Sequence, residues 1–299
     1  MGKCDIIALN NIGISVTHAS GSNGGPTEER GNEMKQAAFK LIALLSALAL
    51  VFSLAACDGL QTEEETTTLP PIISKTKKPD SNAEILSYFN RLVNSAKKSN
   101  PDFTMTKEPK VSDVETANQT LANLVPTLKQ LMLNKTNVSS EDGKKLLEVL
   151  PVSGQEWASQ LTLSDIRYAL CVQEDDLYKI TIFFNDEKEP APLTSRHGKA
   201  FDMEDRAAIE EEFQKAKDYM QLGDYSVLFT GSSIVCEIDR ANDEIQNLIY
   251  NKRMLLHAQA TGVGKLAAAG QIDFSCILEI RTEFHFTWPH PEFSAAAKS

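Results

Sequence analysis

The sequence predicts an α+β fold: N-terminal helices packed against a long-stranded, curved antiparallel sheet. Two observations carry this. Apolar residues recur at helical spacing between residues 81 and 150 and at every second position in several segments after Ile166, and helices followed by strands give α+β rather than α/β. The clearest alternation runs over 271–287, where Ile272, Phe274, Cys276, Leu278, Ile280, Phe284 and Phe286 are interleaved with Gln271, Asp273, Ser275, Glu279, Arg281, Glu283 and His285. A strand with one apolar and one polar side belongs to an antiparallel sheet with one buried and one wet face. Strands of about 15 residues reach ~50 Å, so the sheet must twist and curl, and the helices are the available filling for its concave side.

Ser81-Asn82-Ala83-Glu84 is a capping-box pattern, which predicts a helix start. Ile85, Tyr88, Phe89, Leu92, Val93 and Ala96 follow on one face, and Pro101 lies beyond the end. A second such pattern, Ser112-Asp113-Val114-Glu115, predicts another helix that turns Leu121, Leu124, Val125, Leu128, Leu131 and Met132 inward and is kinked at Pro126. Residues 141–150 read as a short third helix stopped by Pro151, with Trp157 and Leu161 in a further turn. "DIRYALCV" and "LYKITIFF" read as two strands joined at Glu174-Asp175-Asp176. After the loop "NDEKEPAPLTSRHGKAFD", Asp202 caps a helix bearing Ile209, Phe213, Ala216 and Met220. Strands are expected again over about 225–238, 244–260 and 270–287.

Ahead of the domain the chain reads "MKQAAFKLIALLSALALVFSLAAC" from Met34. Lys35 and Lys40 precede 16 uncharged residues, Leu41 to Ala56. That is short for a bilayer span of ~20 residues but has the length and flanks of a secretory signal. Leu54-Ala55-Ala56-Cys57 resembles the lipobox of bacterial lipoproteins. The resemblance implies cleavage between Ala56 and Cys57, diacylation of the Cys57 thiol and acylation of the new amino terminus. Multiple acyl chains anchor stably where one does not. Residues 1–33 read as an upstream extension to a true start at Met34, residues 34–56 as the signal peptide, residues 57–80 as lipidated cysteine and disordered tether, and residues 81–299 as a single extracytoplasmic domain. The tether is rich in Thr, Glu, Lys and Pro and poor in aromatics.

The net charge is −11, which gives no counterion-release basis for binding nucleic acid. Beyond Cys57 there are three cysteines, Cys171, Cys236 and Cys276, without a CxxC pair, so no zinc ribbon or dithiol redox site is indicated. If the last three strands form a meander, one strand separates Cys236 from Cys276, ~10 Å apart and too far for a disulfide; both are expected as buried free thiols.

No candidate for chemistry outweighs its plainer reading. Gly264-Lys265 suggests a phosphate loop, but Gln259 and Leu266 stand where that motif needs glycine and Ser or Thr, so a hairpin loop is expected. His285 and His290 beside Glu283 lack a metal-site spacing, and His197 and His257 have no evident partner. Glu210-Glu211-Glu212 is a solvated charge run. Asp239, Asp243 and Glu244 crowd a turn and carry the oxygen ligands that calcium takes, but Asp and Asn are also ordinary turn residues. No metal, cofactor or catalytic residue is assigned.

"AEILSYFNRLVNSAKKSNPDF", "LTLSDI", "LYKITIFFNDEKEP" and "SSIVCEIDRANDEI" together resemble cell-surface lipoproteins of anaerobic Gram-positive bacteria. The resemblance covers most of residues 81–287, implies a cell-surface location, and brings no activity with it. The leading functional expectation is a non-catalytic binding or interaction module, held to the membrane by its lipid and directed at a cell-surface protein. The alternatives are a carrier or sensor of a hydrophobic ligand held between sheet and helices, and an extracytoplasmic hydrolase, for which no GxSxG, metal motif or triad spacing is present.

Overall fold

The computed structural model describes residues 77–119, 122, 135–203, 217–218 and 220–289. The lipobox, most of the tether, the 123–134 segment, residues 204–216 of the helix expected after Asp202, and His290 lie outside the described residues, while Met220, expected on that helix, begins a strand instead. In the described part, antiparallel sheet dominates and helices are few.

Helix α1 (Asn82–Ser99) forms as its start signal requires: Ser81 Oγ accepts from the Glu84 amide, and Glu84 accepts from the Ser81 amide. Its inward face, including Phe89, Leu92 and Val93, shares one core with sheet residues such as Ile180, Ile234, Leu248 and Phe284. Lys97, also on that face, is almost fully buried; its ammonium donates to the Leu150, Val152 and Trp157 carbonyls and pins the following loop.

The expected second N-terminal helix does not begin at Ser112. Residues Asp102–Thr116 are strand β1, not the approach to a helix. The Ser112 pattern lies inside that strand, at a register shift against the last strand between Ser112 and Glu115, with Asp113 at φ 47°. Long-range pairing overrides the local start signal. Strand β2 (Thr136–Ser139) and the short helix α2 (Leu146–Val149) follow. The remaining strands are β3 (Ile166–Glu174), β4 (Leu177–Phe184), β5 (Glu187–Lys188), β6 (Met220–Phe229), β7 (Ser233–Asp239), β8 (Glu244–Gly262) and β9 (Gln271–Thr287).

The spatial order is β2-β1-β9-β8-β7-β4-β3, with β6 attached to β8 beside this path and β5 to β6. One strand was expected over 225–238. There are two, because Gly231 takes φ +74° and turns the chain, a conformation that costs glycine little. β7 then pairs the first half of β8, and β6 pairs the second. The β7–β8–β9 meander is present as expected. Cys236 lies opposite Leu248 and Cys276 opposite Leu256 on β8, and both thiols are free and buried. Burial pushes the Cys276 thiol up to about 11 and that of Cys236 higher still.

Candidate interaction surface

In an antiparallel sheet, residues directly opposite one another share a face. The inward rungs hold the core, and the outward rungs can be followed across six strands. One runs Tyr168–Phe183–Ser233–Asn251–Arg281–Glu108. The next runs Leu170–Thr181–Val235–Ile249–Glu283–Thr106, and the third Val172–Lys179–Glu237–Asn247–His285–Thr104. Five inter-strand gaps make each rung about 24 Å wide.

The two ends of these rungs differ in chemistry. Toward β1 the face is charged and internally matched. Arg281 donates to Glu283 at 2.7 Å, Arg253 to Glu279 at 3.2 Å, and Lys135 meets Glu108 at 2.6 Å. All of these except Glu283 line an open groove of ≈ 660 Å³. Toward β3 the face is apolar. Tyr168 stacks on Phe183 with ring centres 4.5 Å apart, while Leu170 and Val172 are each 50 % exposed. A smaller cleft of ≈ 370 Å³ lies where Lys77–Pro79 meets α1, Tyr178 and Asp243.

The structure disperses the residues singled out from sequence. Asp243 accepts from the Tyr88 hydroxyl at 2.8 Å and from Arg91 at 3.2 Å. Asp239 accepts from the Ala241 amide and the Asn242 side chain. Donors within the chain therefore satisfy two of the three acids proposed for calcium, and Glu244 faces Asp239 across the hairpin. His285 stands on the outward face 3.7 Å from Glu283, and His257 lies 3.7 Å from Asp273. Among the described residues no group of three His, Cys, Asp or Glu is placed to hold a metal ion. Gly264 opens the 3-10 turn Gly264–Ala269 between β8 and β9, the hairpin loop expected in place of a phosphate loop. Cys57, Glu210, Glu211, Glu212 and His290 lie outside the described residues.

His197 has the partner that its sequence context concealed. Its ring is fully buried against Phe184, Phe201 and Phe229. Nδ1 lies 2.9 Å from Glu187, which also accepts the His197 and Arg196 amides. Nε2 has no partner among the described residues, so the neutral ring donates from Nδ1. Burial pushes the imidazole below its ordinary value, and Glu187 offsets only part of this. Burial raises the Glu187 carboxyl, but the hydrogen bonds from His197 and Arg196 outweigh it and hold the group low.

Sequence reasoning missed the outward stripe of Tyr168, Leu170 and Val172. The signal was present but ambiguous: "YALCV" is apolar on both faces, which reads as a strand covered on both sides. Comparison with family models, curated proteins and solved structures gives no match.

Proposed function

We propose that the protein is a lipid-anchored, extracytoplasmic, non-catalytic binding module. Cys57 holds it to the cell membrane, and the outward face of the sheet recognises a cell-surface protein. What supports the recognition reading is one observation: a face six strands wide, opposite the helix-covered core, ends in Tyr168, Leu170 and Val172, large side chains exposed by 37 to 50 %. Single exposed apolar residues are ordinary, whereas contiguous ones mark interaction sites. What supports the anchor is the lipobox order of charged flank, apolar run and Leu54-Ala55-Ala56-Cys57.

A photo-reactive side chain placed at Thr181, in the full chain in its own membrane, tests the face. Adducts are expected from Thr181 and not from a matched position at Lys98 on α1. Equal yields from both positions, or none from Thr181, would refute the assignment. Cys57→Ala is expected to move the protein out of the membrane fraction; unchanged membrane retention would refute the anchor.

A further inference from the structure

Strand β3 is the last strand on its side of the sheet. Its Ala169 amide donates to Asn82 Oδ1 at 3.0 Å, so the backbone of Ala169 points away from β4. By the alternation of a strand, that of Cys171 and Gln173 does too. At Ala169 the start of α1 closes the edge. At Cys171 and Gln173 no backbone partner is found among the described residues.

Natural sheets blunt such edges with lysine, proline, bulges or very short strands. The opposite end of this sheet does so: β2 is four residues long, and Pro109 and Lys110 occupy β1 beyond the stretch that β2 covers. The 169–173 stretch of β3 has none of these devices. The side chains beside its open backbone are Leu170 and Val172, and the strand runs into the exposed Glu174, Asp175 and Asp176. Nearby cations are committed or distant. Lys179 pairs with Glu237, Lys78 pairs with Asp80, and Arg167 lies at the other end of the strand. Arg240 holds the Asp175 and Asp176 main-chain carbonyls.

We propose that this edge takes an extended peptide segment of a partner protein as a further strand. The segment would set apolar side chains at alternate positions against Leu170 and Val172, and lysine or arginine beside Glu174–Asp176. The proposal rests on the outward face as the recognition surface and names the chemistry of its partner. Open N–H and C=O groups demand an extended backbone, the stripe demands alternate apolar residues, and the acidic end demands basic ones. A second copy of this chain fits poorly. Self-pairing that clears Asn82 must centre near Gln173, which brings three carboxylates from each copy to one seam.

The test uses the full chain in detergent micelles and a fluorescein-labelled peptide, Lys-Lys-Val-Thr-Val-Thr-Val-Lys-Lys, read by anisotropy. Saturable binding is expected. It should weaken about tenfold or more, the equivalent of one or two backbone hydrogen bonds, in Gln173→Pro, which removes an edge donor without touching the β4 ladder. Leu170→Lys should weaken it similarly, as should exchanging the peptide lysines for glutamate, while Lys98→Glu on α1 should not. Thermal melts establish that each variant is folded, and Leu170→Lys carries the test if Gln173→Pro is not. Absence of saturable binding, or binding indifferent to both edge variants, overturns the proposal. If Arg281→Glu abolishes binding and the edge variants do not, the edge is refuted while the outward face stands. Adducts from Thr181 without peptide binding lead to the same conclusion.

Discussion

Leu170 and Glu283 stand on one rung of one sheet face, yet they sit in opposite surroundings. Glu283 accepts from Arg281 and Asn247 and lies near His285. Leu170 projects half-exposed beside an edge that no strand of the described residues pairs. The charged end is complete in itself, because each charge has its counter-charge within the chain. The apolar end has no such partner among the described residues. A polar surface therefore need not be the recognising one, and the difference shows which part of a wet face is left unsatisfied.

Beneath the sheet lies one core, in which two aromatic groups are joined through Tyr250. Phe284, Phe286 and Phe103 lie beneath the charged end. His197 packs with Phe184 at the end of β4, Phe229 of β6 and Phe201, which in turn meets Tyr250 of β8. The largest effect should come from the inward side: Phe284→Ala removes a fully buried ring and is expected to cost about 3–5 kcal/mol of stability, read by urea denaturation. A loss under 1 kcal/mol would mean that the charged end does not rest on this aromatic layer.

Acid should next single out the cluster around His197. The folded-state value of His197 lies below its unfolded 6.5, so the unfolded chain takes the proton first. This part of the stability is fully present above about pH 6.5 and declines as the pH falls below it toward the lower folded value. Glu187, also held low from 4.5, adds a further loss at still lower pH. The melting temperature is expected to fall between pH 7 and 5 in the wild type and to stay flatter in that interval in His197→Gln. Amide protection should be lost first around residues 184–201. Equal acid sensitivity of wild type and variant would remove His197 from the explanation.

The smallest effects lie on the outward rung itself. Glu283→Ala should cost up to about 1 kcal/mol and be sensitive to salt, as half-exposed ion pairs are. Leu170→Thr should change stability by no more than about 0.5 kcal/mol, as surface substitutions do, while still impairing partner binding. A large loss of stability in Leu170→Thr would mean that the stripe is part of the core.

Much of this architecture was legible in the sequence. Helix α1 was marked by Ser81 and Glu84, β9 by an alternation that only Ile277 breaks on the polar side, and the 264–269 loop by the missing phosphate-loop residues. Ser112 misled because the start signal is local, whereas pairing with β9 is set by residues more than 150 positions away. The Glu187–His197 pair was invisible because a loop brings together residues of no fixed spacing. The outward stripe was hidden because Ala169 and Cys171, between its members, are apolar too.

The most direct test is residue-resolved amide exchange along β3 in the unliganded full chain at neutral pH. Leu170 and Val172 point their amides into the β4 ladder, whereas Cys171 and Gln173 point theirs outward. Alternating protection is predicted, slow at 170 and 172 and fast at 171 and 173. Uniformly slow exchange across all four would mean that the edge is already covered, and would contradict the account.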